Sequence, residues 1–361
     1  MFQEIRTSKG FCMINVFTID LEDYFMVSAF ESVVRRENWN HYESRIERNT
    51  YRLLEILAQA EPRSPHLKNS GSYTPDPLPG VKATFFCLGW IAELFPRLIK
   101  DIHKAGHEIA SHGYDHRQIY RMTPVEFRED IRRTRETLED IIGARVLGYR
   151  APSYSIIRKT LWAFEILAEE GYCYDSSIFP IHHDSYGIPD APRFPFVVLC
   201  QQNGRVRFLP LSRPETENRI LETQAGDKEV ALPTPAFSSS GPSILEFPLS
   251  TLCLFNINFP ISGGGYFRLL PYPFIERALR RIHRKEKQPL IFYIHPWEMD
   301  STQPIIRGAC VKSRFRHYTN LDKTEIRLKK LLMDFAFSSF RESFDRYFSR
   351  LEKSPAFLAP L

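Results

Sequence analysis

The sequence predicts a parallel α/β fold of the barrel kind, and three observations carry that expectation. Apolar, β-branched runs alternate with amphipathic stretches in the order strand, helix, strand, helix. The runs are apolar throughout, as expected of strands covered on both faces. Titratable residues stand just beyond several of these runs, at the strand ends where parallel α/β barrels place their chemistry. The chain has 361 residues, 43% hydrophobic and 25% charged, which suits one large domain or two smaller ones and is ample for a core.

The elements follow in order. Ile14 to Ile19 reads as a buried strand that delivers Asp20, Glu22 and Asp23 at its end. Asn49 to Ala60 reads as a helix, and the proline-rich stretch 62–80 as a loop. Val81 to Cys87 is a second buried strand. Ile91 to Ala105 is an amphipathic helix stopped by Gly106. Glu108 to Ala110 is a short strand with His112 and His116 just past it. Thr123-Pro124-Val125-Glu126 combines a Thr cap, Pro at the first position and Glu closing a capping box, so a helix runs from there to about Ile142. Val146 to Tyr149 is a strand ending at Arg150. Lys159 to Glu170 is a helix, and Cys173-Tyr174 a short strand ending in Asp175. From Ser185 to Ile261 prolines and short β-like pieces suggest a strand-rich insertion. Gly263-Gly264-Gly265 closes it. Pro271 to Lys285 is a helix, Pro289 to Ile294 a strand ending in His295, and Thr324 to Phe335 a terminal helix.

The bulk numbers exclude several classes. A formal net charge of +5 is a mild bias, and no basic run interleaves with stacking aromatics, so nucleic acid is not an expected partner. Six scattered cysteines form no C-x-x-C pair, which argues against a zinc knuckle or redox couple and favours a reducing, cytoplasmic setting. No run reaches the ~18 apolar residues of a membrane span. Residues 1–12 lack the apolar core of a signal peptide and are expected to be a disordered extension or an upstream mis-start.

The chemistry is sought at the strand ends. His112 and His116, four apart, can aim two imidazoles at one ion; alone, such a pair is weak. Two histidines and one carboxylate leave an open position for water, the arrangement of catalytic zinc. The third ligand is open between Glu22, which shares a strand face with Asp20, and Asp23, which a turn after Leu21 would favour. Asp20 is the candidate base. Arg150 can pair with a buried carboxylate, and His295 sits where a general acid is held. Asp175 can orient a histidine from behind or cap the turn at Ser176-Ser177. Each of these also has an ordinary reading as a capping acid, a surface arginine or a core histidine.

Together the residues resemble a known family. Thr18-Ile19-Asp20-Leu21-Glu22-Asp23-Tyr24-Phe25, Ala83-Thr84-Phe85-Phe86, Ser111-His112 with His116, Gly148 to Tyr154, and Tyr293-Ile294-His295-Pro296-Trp297-Glu298 resemble the ordered motifs of the polysaccharide deacetylases, carbohydrate esterase family 4. Gly263 to Tyr272 and Arg316 to Asp322 are similar to its branch associated with exosortase and exopolysaccharide gene clusters. The resemblance implies a distorted (β/α) barrel of seven or eight strands spanning residues 13–342. Within it the insertion takes about 185–261 and a branch-specific portion about 262–342, with 343–361 as a tail.

It implies hydrolysis of N-acetyl groups from amino sugars of a polysaccharide or lipid-linked oligosaccharide. A divalent metal, zinc or cobalt, would be held by His112 and His116, with Asp20 as base, Arg150 as its partner and His295 as acid. Tyr154 would lie near the oxyanion, and Tyr266, Arg268 and Trp297 are further candidates for contacting substrate. Peripheral contact with membrane-bound polysaccharide machinery would follow. The first motif departs from the family's adjacent aspartates, and the usual aspartate-tryptophan motif is absent, its place given to Gly264 to Arg268. An allantoinase-like cyclic amide hydrolase of the same fold and a non-catalytic glycan-binding protein are the competing readings.

Overall fold

A computed structural model of the chain describes residues 4–7, 10–61, 80–201, 205–211 and 242–344. Two strands, β1 (Glu4–Thr7) and β2 (Gly10–Met13), pair as an antiparallel hairpin where the sequence suggested a disordered extension. Then follow β3 (Asn15–Leu21), β4 (Thr84–Cys87), β5 (Glu108–Ser111), β6 (Gly148–Tyr149) and β7 (Tyr174–Asp175). Next come β8 (Phe196–Cys200), β9 (Val206–Pro210), β10 (Ser243–Glu246), β11 (Thr251–Leu254), β12 (Ile257–Pro260), β13 (Ile291–Ile294) and β14 (Phe337–Ser338).

The main sheet runs β13-β3-β4-β5-β6-β7-β10-β8-β9, parallel from β13 through β10. That curved run is the distorted barrel, and no strand ladder closes it among the described residues. Between β10 and β13 the gap is spanned by Ser250, whose N–H donates to the Ile291 carbonyl at 3.4 Å and whose Oγ accepts the Ile291 N–H at 2.9 Å. The insertion is strand-rich, but β10 in its last third is a member of the parallel run. β8 and β9 extend that edge antiparallel, and β11 and β12 form a separate hairpin. The expected tail beyond Phe344 lies outside the described residues, as do 212–241 of the insertion.

Strand alternation divides the apolar residues into two clusters. Phe17, Ile19, Leu21, Phe85 and Cys87 face the surrounding helices, while Val16, Phe86, Ala110 and Tyr174 fill the interior. The short helix Phe340–Ser343 plugs the base, with Phe340 packed on Tyr174 and Phe247 and its N–H donated to Thr84 Oγ1 at 2.9 Å. The helix Pro124–Ile142 starts on the Thr123/Glu126 capping box read from sequence and ends at Gly143 in the left-handed region. Where one helix was expected over 91–105 there are two, Gly89–Leu94 and Pro96–Lys104. Proline disfavours the α region for the residue before it, and Phe95 accordingly leaves the helix at φ −128°, ψ 55°. Helices at Gly264–Leu269 and Val311–Tyr318 were not read from the sequence.

Register decides what meets at the top of the sheet. Leu21 pairs with Cys87, Cys87 with Ser111, Ser111 with Tyr149, and Tyr149 with Asp175. One residue further on, Glu22, His112, Arg150 and Ser176 therefore stand at one level. Ile294 pairs with Ile19, which brings His295 level with Asp20.

Candidate metal and catalytic site

Glu22, His112 and His116 meet at the end of β3 and β5. Glu22 Oε1 lies 3.1 Å from His112 Nε2 and 3.0 Å from His116 Nε2, with all three side chains buried. His116 reaches this point because the loop turns twice through positive φ, at Gly113 (75°) and at His116 itself (59°). His112 Nδ1 lies 2.8 Å from the Arg150 carbonyl. A carbonyl only accepts, so Nδ1 carries a proton, and in the neutral ring Nε2 presents a lone pair. A lone pair facing a carboxylate oxygen at 3.1 Å is repulsive unless a cation or proton lies between them. That donor set, two imidazoles and a carboxylate with a backbone carbonyl behind one ring, fits a divalent ion with an open position. Burial alone would raise the Glu22 carboxyl, but His116, His295 and His112 outweigh it and hold it well below the usual range.

Asp23, the other candidate ligand, is not with the histidines. Its Oδ1 accepts from the Tyr24 N–H at 2.9 Å, and its Oδ2 from Ser44 Oγ at 2.7 Å and the Arg45 N–H at 2.8 Å. The backbone turns tightly at 20–22, with the Glu22 N–H donating to the Asp20 carbonyl at 3.0 Å, so Glu22 stays inward and Asp23 swings into the neighbouring loop.

Asp20 shares the pocket. Arg150 Nη1 donates to its Oδ1 at 2.6 Å and to Thr18 Oγ1 at 2.8 Å, and the Tyr154 hydroxyl donates to its Oδ2 at 3.3 Å. Arg150 is completely buried over the Phe86 ring and donates also to Ser176, so its position is set on four sides. Ser153 and Tyr154 both take positive φ, which turns the Tyr154 ring back over Asp20. His295 Nε2 lies 4.0 Å from Asp20 Oδ2 and 3.9 Å from Glu22 Oε1. Its Nδ1 faces Glu298 Oε1 at 2.8 Å, and the same oxygen accepts the His295 N–H at 3.0 Å. Burial pulls the His295 imidazole down, but Glu22, Glu298 and Asp20 outweigh burial and lift it to about 9.

Three expected residues take other places. Arg268 does not line a cleft: it is buried, with Nε donating to Glu298 Oε2 at 2.6 Å and Nη1 to the His317 and Thr319 carbonyls. Against the burial that would raise it, Arg268 and His295 hold the Glu298 carboxyl at about 2. Trp297 is buried between the rings of His295 and His317, at centroid distances of 5.1 and 4.1 Å. Asp175 touches no histidine; it accepts from the Ser177 N–H and hydroxyl and lies beside Glu246. Burial pushes both of those carboxyls up. Tyr266 stays at the rim, its hydroxyl 3.4 Å from that of Tyr186, in an aromatic wall with Tyr154, Phe179 and Tyr293.

Glu298 is the residue that sequence reasoning missed. Its signal was present, since His-Pro-x-Glu is a capping-box spacing with Pro at the first position, and the structure uses it as one.

Comparison with known proteins bears on this site. Residues 79–171, which include both histidines and Arg150, match the family model "Polysaccharide deacetylase". That stretch of the chain is similar to a polysaccharide deacetylase domain. Residues 220–345 match a second model, a domain of unknown function designated DUF3473, which takes in the Arg268–Glu298–His295 group outside the deacetylase match. A peptidoglycan-N-acetylglucosamine deacetylase of Bacillus cereus is 40% identical over 86 residues, 24% of this chain and 31% of that protein. A peptidoglycan deacetylase of Helicobacter pylori is 33% identical over 104 residues, 29% of this chain and 34% of that protein. The chain thus spans about a third of the length of these curated relatives. A Mycobacterium smegmatis protein solved as a candidate polysaccharide deacetylase shares the fold at TM-score 0.51 and 16% identity, over 96% of this chain and 94% of that one.

Proposed function

We propose that this deacetylase domain removes N-acetyl groups from amino sugars of a bacterial polysaccharide or lipid-linked oligosaccharide, with a divalent ion, zinc foremost, held by Glu22, His112 and His116. The observation that carries the reading is the opposed acceptor pair of His112 Nε2 and Glu22, 3.1 Å apart in a buried pocket and next to two further titratable groups. When bound, the ion supplies Lewis-acid chemistry, polarising the amide carbonyl and acidifying water.

The chain's own groups supply the proton steps. Asp20 has Oδ1 held by Arg150, and its Oδ2, near Tyr154 and His295, is the acceptor for the proton of the attacking water. Nδ1–H of His295 donates to Glu298, which leaves Nε2 aimed into the pocket to protonate the departing amine. Half-buried Tyr186 and Tyr266 offer flat faces for a sugar ring, with buried Tyr154 packed behind Tyr186. The Bacillus cereus relative, named a peptidoglycan-N-acetylglucosamine deacetylase, supports an N-acetylhexosamine substrate. The cytoplasm or its membrane face is the proposed location, and among the described residues no helix is long and apolar enough to cross a membrane.

The test is acetate release from N-acetylglucosamine oligomers by protein loaded with zinc or cobalt, together with metal content. His112→Ala is expected to lose both the ion and the activity. A variant that retains activity without bound metal would remove the metal role, and turnover of small cyclic imides but no sugar would select the cyclic amide reading.

A further inference from the structure

We propose that the outer face of the helix Val311–Tyr318, with Ile305 and Arg307 leading into it, docks on an anionic lipid bilayer. The helix presents two faces. His317 and Ser313 turn inward, where His317 stacks on Trp297, packs at a tilt against Phe30, and its carbonyl accepts from Arg268 at 2.7 Å. At 100° per residue the outward direction falls on Phe315, with Val311 one turn before it, Lys312 and Arg316 on one flank and Arg314 on the other. Phe315 is 60% exposed, Val311 82% and Ile305 60%, so large apolar groups stand in solvent within a dozen residues of one another.

Charge decides the partner. From Ser301 to Leu321 the chain carries Arg307, Lys312, Arg314 and Arg316 and no Asp or Glu. None of these four cations forms an ion pair among the described residues. By contrast, Arg52 pairs with Glu325 and Lys330 with Asp334. An apolar centre flanked by unpaired cations suits the boundary of an anionic membrane, where aromatic and aliphatic groups enter the headgroup layer and cations meet lipid phosphates. A protein partner would call for acidic residues complementary to all four cations around an apolar socket, which a fluid anionic surface provides without specific shape.

The placement has a consequence for the cleft. The same helix packs on Gly264–Leu269, which bears Tyr266, and Lys312 and Arg316 are close enough to act electrostatically on His183, which stacks on Tyr186 at 3.8 Å. Docking would thus set the aromatic wall of the cleft beside the lipid.

Co-sedimentation of the full chain with vesicles tests this and is read without catalysis, so failure of the deacetylase reading leaves the result standing. Vesicles of phosphatidylcholine with phosphatidylglycerol are expected to bind the protein, and those of phosphatidylcholine alone to bind it far less, the difference shrinking as salt rises. Each cation near such a surface contributes about fivefold in partitioning, so Arg307→Glu with Arg314→Glu is expected to lower binding by at least about 25-fold. Val311→Ser with Phe315→Ser lowers it as well, and Arg307→Lys with Arg314→Lys retains it; all these positions are exposed, and unchanged circular dichroism confirms folding. Equal binding to both vesicle types, or undiminished binding by the charge-reversed variant, would overturn the proposal. So would capture on dextran sulfate without vesicle binding, which would assign the patch to a soluble polyanion.

Discussion

At the scale of single residues the site depends on which atom of each group is already engaged. Glu22 and Asp23 are neighbours of one charge, yet Asp23 has both oxygens occupied by Tyr24, Ser44 and Arg45 while Glu22 faces two imidazoles. Glu22→Gln is therefore expected to abolish stoichiometric zinc binding, measured by metal analysis after dialysis. Asp23→Asn should keep the metal and lose about 1–2 kcal/mol of stability, because its Oδ2 accepts from a hydroxyl and a backbone N–H. Zinc loss in Asp23→Asn with retention in Glu22→Gln would reverse the assignment. Glu298 is a second such case. It is buried and shared by Arg268 and His295, so Glu298→Gln leaves a guanidinium without its acid in the interior. A loss of about 3–5 kcal/mol in urea unfolding is expected, with acetate release falling by more than about tenfold. Its carboxyl is held at about 2 against an unfolded value near 4.5. The pair therefore stabilises fully above pH 4.5 and loses that contribution as pH falls towards 2.

At the scale of elements, close approach of backbones explains what composition does not. Gly263-Gly264-Gly265 was legible in the sequence as a boundary, but its reason is the edge of β13. Gly263 sits at φ 135°, and a Cβ there would meet the Tyr293 carbonyl oxygen at 1.8 Å. A Cβ on Gly265 would find nothing nearer than Arg268 Nη2 at 4.0 Å. Gly263→Ala is expected to destabilise the protein by more than about 3 kcal/mol and displace the strand that ends in His295, while Gly265→Ala changes stability by less than about 1 kcal/mol. Thermal unfolding of the two variants checks this, and equal effects would refute it. The strands that were legible are those with long apolar runs, such as β3. The helix Val311–Tyr318 was not, because its exposed Val311 and Phe315 and its three cations Lys312, Arg314 and Arg316 blur the inward stripe that marks a core helix.

Over the whole molecule, neutral histidines, His107 buried and His283 half-buried, link the fold to pH. Burial, assisted by Lys82, holds His107 at about 4, and its Nδ1 accepts the Ala83 N–H at 3.1 Å just before β4. Burial, assisted by Arg280, likewise holds His283 at about 4, with Nε2 donating to Asn15 Oδ1 at the head of β3. Both folded values lie below the ordinary 6.5, so the unfolded chain binds protons more readily. Their stabilisation is complete above pH 6.5 and is lost as pH falls from there towards 4, on the order of 3 kcal/mol each at the limit. Urea unfolding between pH 7 and 4.5 should show this decline, and His107→Gln should flatten it; an unchanged slope would exclude His107 as a source.

The sequence by itself determined the strand–helix alternation, the capped helix at Thr123 and the placing of Asp20, His112, His116, Arg150 and His295 at strand ends. Those are properties of neighbouring residues, and local pattern carries them. Only the tertiary structure set Glu22 rather than Asp23 beside His112 and His116, brought Glu298 behind His295, and turned Arg268 and Trp297 from cleft candidates into buried supports. Each of those outcomes depends on strand register and on which distant atom completes a hydrogen bond. Such information belongs to no single stretch of chain.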